Sequence, residues 1–355
     1  MNPIGEEMRI LLVVPSLYVP FFKGSAKVGA ELYKGLKERG FDIEVLEVYR
    51  ENKSYLNNLI KVPFKQLRSK VDVIHAITPE SGAFLGIIKM LKNVKTVVTF
   101  HDLSPLESSE KLKFKFKEFV KLYTFLMWKS SLNVDLVTVV STQTKEEVVK
   151  YLGKPKRIAV INPGVDERFK PIKVKKEKIT LGFFANFSYK KGVDKAIEVF
   201  KMVNKKIDCK LILAGGFMHT IFQEQFDVYK LTKGLKDVEI FGYVSEKYVV
   251  KLYNSFDFYL FPSIEEGFGI PILEAQKCGI PVLTFKWAKI PQETKEKTIQ
   301  CKDVQDMANK ILYLIKNREK YKKISRDGIK YASKFTWKNF VETHVNFYED
   351  LVCST

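Results

Sequence analysis

Cysteine is scarce in this chain, with four among 355 residues: Cys209, Cys278, Cys301 and Cys353. None has CxxC or other metal-site spacing, so a disulfide framework or zinc cluster is excluded, and idle thiols of a reducing compartment are expected. No apolar run approaches the ~18 residues of a membrane span. The stretch from Met1 to Arg9 lacks an apolar signal core, so neither a leader nor a spanning helix is expected. The expected location is the cytoplasm, with room for peripheral contact at the inner face of a membrane. A D-x-D pair is missing, which removes the shortest two-carboxylate arrangement for holding Mg²⁺ or Mn²⁺. A GxGxxG turn is missing too, and with it the dinucleotide fingerprint. Acids are outnumbered, 41 Asp and Glu against 60 Lys and Arg, for a net charge of +19. That excess favours anionic partners: nucleotides, phosphorylated lipids, anionic membranes or nucleic acid. Nucleic acid is the weakest of these, because the chain has no clustered basic tail, reading helix or aromatic-basic platform.

What the chain does have is length and core. At 355 residues, 46% of them hydrophobic, two domains with separate cores are expected. Arg9 to Val14 is a nearly continuous apolar run, the mark of a strand buried on both faces of a parallel sheet. A loop to Gly24, a helix with Val28, Leu32 and Leu36 on one face, and a strand from Phe41 to Val48 complete a βαβ opening. Further strands are expected at 71–76, 95–100, 134–140 and 157–161. The second strand of that series ends at His101, and a histidine just past a strand end points into the ligand crevice of such a sheet. His75, inside a strand, reads as structural. The charged, proline-containing stretch 170–178 reads as a linker. The second half repeats the alternation, with strands at 179–184, 209–213, 238–241, 257–261 and 282–285. Its last helices are expected over 307–324 and 337–351.

Two stretches read as basic and amphipathic. Tyr55 to Lys70 carries Lys61, Lys65 and Arg68 among apolar residues, with Pro63 expected to bend or break the helix. Lys111 to Lys129 carries six lysines and one acid, with Lys113, Lys117 and Lys121 in one stripe. A basic amphipathic helix with aromatics can lie in a membrane interface. Solvated lysines on a domain surface are the alternative.

The stretch that organises the second half is Glu266-Gly267-Phe268-Gly269-Ile270-Pro271-Ile272-Leu273-Glu274. It reads as a glycine-rich loop running into a short helix, with Pro271 at its first position and Gly279 just past its end. Gly267 and Gly269 let the amides of Phe268 to Ile270 approach an oxyanion, and the helix N-terminus adds positive potential.

With K-C-G-I-P-V after it, this stretch resembles the signature of the retaining glycosyltransferases of family 4, which have the GT-B fold. The resemblance spans nearly the whole chain. It implies an α/β protein of two Rossmann-like doubly wound parallel-sheet domains facing across a cleft. The expected divisions are 1–170 for the acceptor, 171–336 for the nucleotide sugar, and 337–355 as a helix crossing back to the first domain. It implies sugar transfer from a UDP- or GDP-sugar with no cofactor or metal. Gly24 is the match to a glycine lying on the donor diphosphate, and His101 to a histidine contacting the donor sugar. Glu274 is the match to the acceptor of ribose hydroxyls, and Glu266 to the residue holding a sugar hydroxyl near the reacting carbon. Tyr243 falls where the family's backbone meets the base. Lys191 matches a diphosphate-clamping lysine, but Asn186 stands where the family usually has an arginine, so a charge and a bidentate fork are lost there. The expected acceptor is a lipid-linked or cell-surface glycan at a membrane, with a soluble sugar phosphate or small glycoside as the alternative.

Overall fold

The computed structural model describes residues 8–17, 24–48, 55–103, 117–216 and 226–354, without the side chains of 55–60 and 117–121. They form two compact bodies, Met1–Gly164 with Thr336–Thr355, and Val165–Phe335.

The first body is built on strands β1 (Arg9–Val14), β2 (Asp42–Glu47), β3 (Val73–Ala76), β4 (Lys95–Phe100), β5 (Leu136–Val139) and β6 (Ile158–Val160). All pair in parallel, in the order β2-β1-β3-β4-β5-β6. Helices connect them: α1 (Gly24–Glu38), α2 (Tyr55–Arg68), α3 (Pro79–Gly82), α4 (Leu85–Leu91), α5 (Lys117–Ser130) and α6 (Thr142–Tyr151). The apolar strands are buried because helices cover them, and Ile74, Leu85, Val98, Phe100, Trp128 and Val137 belong to one core cluster. Pro63 lies inside α2, which continues past it, so of the expected bend or break the break does not occur. Packing of this helix on the core, through the buried Val62, outweighs the single backbone hydrogen bond a proline removes.

The second body carries β7 (Ile179–Phe184), β8 (Cys209–Ala214), β9 (Val238–Phe241), β10 (Phe258–Leu260), β11 (Val282–Phe285) and β12 (Ile299–Cys301). Its parallel order is β12-β11-β10-β7-β8-β9. The helices are α7 (Val193–Asn204), α8 (Val228–Thr232), α9 (Glu246–Ser255), α10 (Ile270–Lys277), α11 (Gln292–Lys295), α12 (Val304–Lys316) and α13 (Arg318–Ala332). Strand β12 had no counterpart in the sequence reading, since I-Q-C is too short to show a period.

The last helix, α14 (Trp337–Cys353), belongs to the first body. Its buried face includes Phe340, Val341, His344 and Tyr348. The Tyr348 hydroxyl lies 2.5 Å from His75 Nδ1, and His75 Nε2 lies 2.7 Å from the Thr99 hydroxyl, which meets Thr138 at 2.6 Å. His75 is thus a buried structural residue, as read from the sequence.

Candidate active site

In each sheet the strand order reverses beside the first strand, β1 in one body and β7 in the other. Ligand crevices of doubly wound sheets open at such switch points, beyond the carboxyl ends of the strands. In the second body the loops following β7 and β10 meet there, and both carry the charged residues singled out above.

Backbone hydrogen bonds lace these loops to a third. Ile264 donates its N–H to the Lys190 carbonyl at 2.9 Å, Lys289 to Ile264 at 2.8 Å, and Glu266 to Lys289 at 2.9 Å. Glu265 and Lys289 form a parallel bridge. The acids therefore sit on a fixed frame. Lys191 Nζ donates to Glu266 Oε1 at 2.6 Å, and the Ser263 hydroxyl donates to the same oxygen at 2.6 Å. Lys190 Nζ stands 3.4 Å from Glu265 Oε2. Two adjacent lysines thus face two adjacent glutamates. Lys190 is committed to Glu265.

Gly192 makes this approach possible. Its φ is 71°, and a Cβ there would lie 2.5 Å from the Pro262 carbonyl oxygen. Asn186 folds onto its own loop, its Oδ1 accepting the Ser188 hydroxyl at 2.6 Å. An asparagine cannot reproduce the reach or charge of the arginine usual in the resembling sequences.

Gly269 caps the start of α10 with φ 93°, a left-handed value that favours glycine. The helix begins one residue before Pro271, which still falls in the first turn, where a missing N–H costs nothing. Phe268 is buried and packs against Phe335 at 6.0 Å, while its carbonyl accepts the Thr294 hydroxyl at 2.6 Å. The Phe268 to Ile270 backbone is therefore held at a helix N-terminus, suited to an anion.

Glu274 lies inside α10 and is 5% exposed. The wholly buried Tyr253 of α9 donates its hydroxyl to Glu274 Oε2 at 3.0 Å. Burial pushes the Tyr253 phenol well up, and the Glu274 charge pushes it further. Tyr259 beside it donates to the Phe184 carbonyl at 2.9 Å. The sequence reading missed Tyr253; its one signal was an aromatic four residues past Val249 on the buried face of α9. Tyr243 is exposed, just past β9.

Gly24 and His101 are in the first body. Gly24 opens α1, and among the described residues no atom lies within 4 Å of where a Cβ would stand. His101 Nε2 lies 2.9 Å from the Ile77 carbonyl. A carbonyl only accepts, so Nε2 carries the proton and the neutral ring keeps Nδ1 as an acceptor. Burial lowers the His101 pKa, with the Ile77 carbonyl and Asp102 acting the other way.

Of the residues expected at a membrane or acceptor, Lys61, Lys65 and Arg68 are exposed on α2, with Arg68 over the Phe64 ring at 4.0 Å. Lys113 lies outside the described residues, as do the side chains of Lys117 and Lys121 on α5. No helix among the described residues is long and apolar enough to cross a membrane.

Comparison with known proteins agrees with this geometry. Residues 165–331 match the model of the glycosyl transferases group 1, and residues 45–169 match that of glycosyltransferase family 4. An uncharacterized glycosyltransferase of Methanocaldococcus jannaschii is 26% identical, over 97% of this chain and 99% of that protein. The structure is similar to a sucrose-phosphate synthase of Thermosynechococcus elongatus, with TM-score 0.82 and 17% identity over 98% of this chain and 100% of that one. It is also similar to Anabaena HepE in complex with UDP-glucose, with TM-score 0.74 and 17% identity over 97% and 100% of the chains. With two six-stranded parallel sheets and a glycine-capped helix at the switch point of the second, this chain belongs to the group 1 glycosyltransferases of family 4, of GT-B fold.

Proposed function

We propose that this glycosyltransferase moves a sugar from a nucleotide sugar to a lipid-linked or cell-surface glycan at a membrane, with retention of anomeric configuration and without a metal. The observation that carries the reading is the contact of Lys191 with Glu266 beside the N-terminus of α10. Transfer breaks the bond between the anomeric carbon and a diphosphate oxygen, so negative charge grows on that oxygen. Preorganised donors aimed at such a charge lower the barrier. Lys191, the amides of Phe268 to Ile270 and the first turn of α10 are the groups suited to it. Among the described residues, no three His, Cys, Asp or Glu side chains gather to hold a metal ion. Lys191 reaches the diphosphate by exchanging its bond to Glu266, which frees that carboxylate for a sugar hydroxyl and for the cationic character of the reacting carbon.

Glu274 takes the ribose hydroxyls in this reading, its other oxygen steadied by Tyr253. His101 orients the sugar. The departing phosphate accepts the proton of the acceptor hydroxyl as the new carbon–oxygen bond forms on the same face. A thermal-shift screen with UDP-, GDP- and ADP-sugars tests donor use, because a ligand bound only by the folded state raises its melting temperature. Absence of any shift, with no release of sugar from any of the three, overturns the reading. A soluble small acceptor is the second reading, favoured by the likeness to a protein named sucrose-phosphate synthase. Radiolabel from the donor partitioning into aqueous product, and none into lipid extract, decides for it.

A further inference from the structure

The exposed apolar side chains of the two bodies differ in kind. In the second body they are mostly tyrosines, which carry a polar end. In the first, apart from Val149 and Tyr151 of α6, they are leucine, isoleucine, methionine and phenylalanine, on or beside α2, α4 and α5. Helix α4 is the extreme case: Met90 is 82% exposed, Leu91 67% and Ile87 56%. On α2, Phe64 and Leu67 are exposed, and on α5, Leu122 and Leu126. The inner residues Val62, Ile88 and Trp128 of the same three helices sit in one core cluster, so the layer is anchored on its inner side.

Charge says what the outer side meets. The segments 61–70, 85–92 and 122–130 contain seven basic residues and no acid. Two acids near this layer are engaged inward: Glu80 accepts the Trp128 indole at 3.0 Å, and Asp135 pairs with Lys89 at 3.1 Å. A cavity of about 710 Å³ opens beside α4, lined by Ile87 and Met90 and by Lys89, Lys129, Lys154 and Lys156. A protein interface of this apolar content would be depleted of lysine at its core. Apolar side chains interleaved with lysines fit the boundary between acyl chains and anionic headgroups, with each ammonium reaching a phosphate.

We infer that the outer face of the α2–α4–α5 layer docks on an anionic bilayer, with α4 as the inserting element and the lysine-lined cavity receiving a headgroup phosphate. The inference deepens the membrane part of the function proposed above and stands on that part alone. Its new content is α4, which carried no signal in the sequence reading.

The test uses the full chain, with vesicles of phosphatidylglycerol mixed into phosphatidylcholine set against phosphatidylcholine alone. Wild type is expected to sediment with the anionic vesicles, and Met90→Glu and Leu91→Glu each to weaken that binding by about tenfold, since both remove insertable apolar surface and add a repelled charge. These side chains are exposed, so the variants keep the wild-type melting temperature. A Met90→Trp variant is expected to lose fluorescence to brominated acyl chains. Unaltered binding by both glutamate variants, an unquenched Met90→Trp, or a face that proves to bury itself in a wild-type dimer overturns the inference. Vesicle binding by a chain that hydrolyses no nucleotide sugar upholds the docking face and removes the transfer reading.

Discussion

Acid should loosen the first body through His344. This ring is 2% exposed, stacks on His75 at 5.5 Å, and lies 2.9 Å from the Phe340 carbonyl through Nδ1. Burial lowers its pKa from 6.5 to about 4. His75, also buried, is shifted the same way, by burial first and by His344 second. Below pH 6.5 the unfolded chain takes up a proton on His344 while the folded chain refuses it until about pH 4, so falling pH favours unfolding across that window. At 1.36 kcal/mol per unit, the loss across the window is about 3 kcal/mol, of which about 2 kcal/mol has gone by pH 5. For a body of this size each kcal/mol moves the melting temperature by about 2–4 °C. The assay is calorimetry of wild type and His344→Phe from pH 7.5 to 5. Phenylalanine gives up the Nδ1 hydrogen bond, so the variant starts lower, roughly 1 kcal/mol at neutral pH, and the gap should close and then invert on acidification. Carboxylates titrate alike in both proteins and cancel in the comparison. Parallel curves for the two proteins would refute the reasoning, since they would mean that His344 charges without penalty in the folded state.

Other perturbations have expected outcomes of their own. Tyr253→Phe strips a hydrogen bond from a buried carboxylate, costs roughly 1–3 kcal/mol in denaturant titrations, and raises the donor KM. An unchanged KM would separate Tyr253 from donor binding. Lys191→Gln should lower kcat by about a hundredfold or more while shifting stability by less than about 1 kcal/mol, because its ion pair is partly solvated. Equal kcat in steady-state assays would remove Lys191 from the chemistry. Gly192→Ala forces a left-handed backbone on alanine and a clash with the Pro262 carbonyl, for a loss of roughly 2–3 kcal/mol by chemical denaturation.

Some of this architecture was legible before any coordinates. The apolar runs that became β1, β4, β7 and β8 are buried on both faces, and a strand of that kind requires helices on each side, whatever the rest of the chain does. The short helix α10 was legible for a local reason as well: a proline in the first turn and a left-handed glycine, Gly279, just past the end are backbone requirements written in single residues. Tertiary structure decided the rest. That Lys191 meets Glu266, 75 positions away, depends on β7 and β10 being neighbours in the sheet. That Tyr253 supports Glu274 depends on two helices packing side by side, and a buried tyrosine looks like any core aromatic in sequence. The continuity of α2 through Pro63 and the apolar outer face of α4 were likewise beyond local reading. Periodicity shows which side of an element is greasy; only the packed neighbours decide which greasy side stays in contact with solvent.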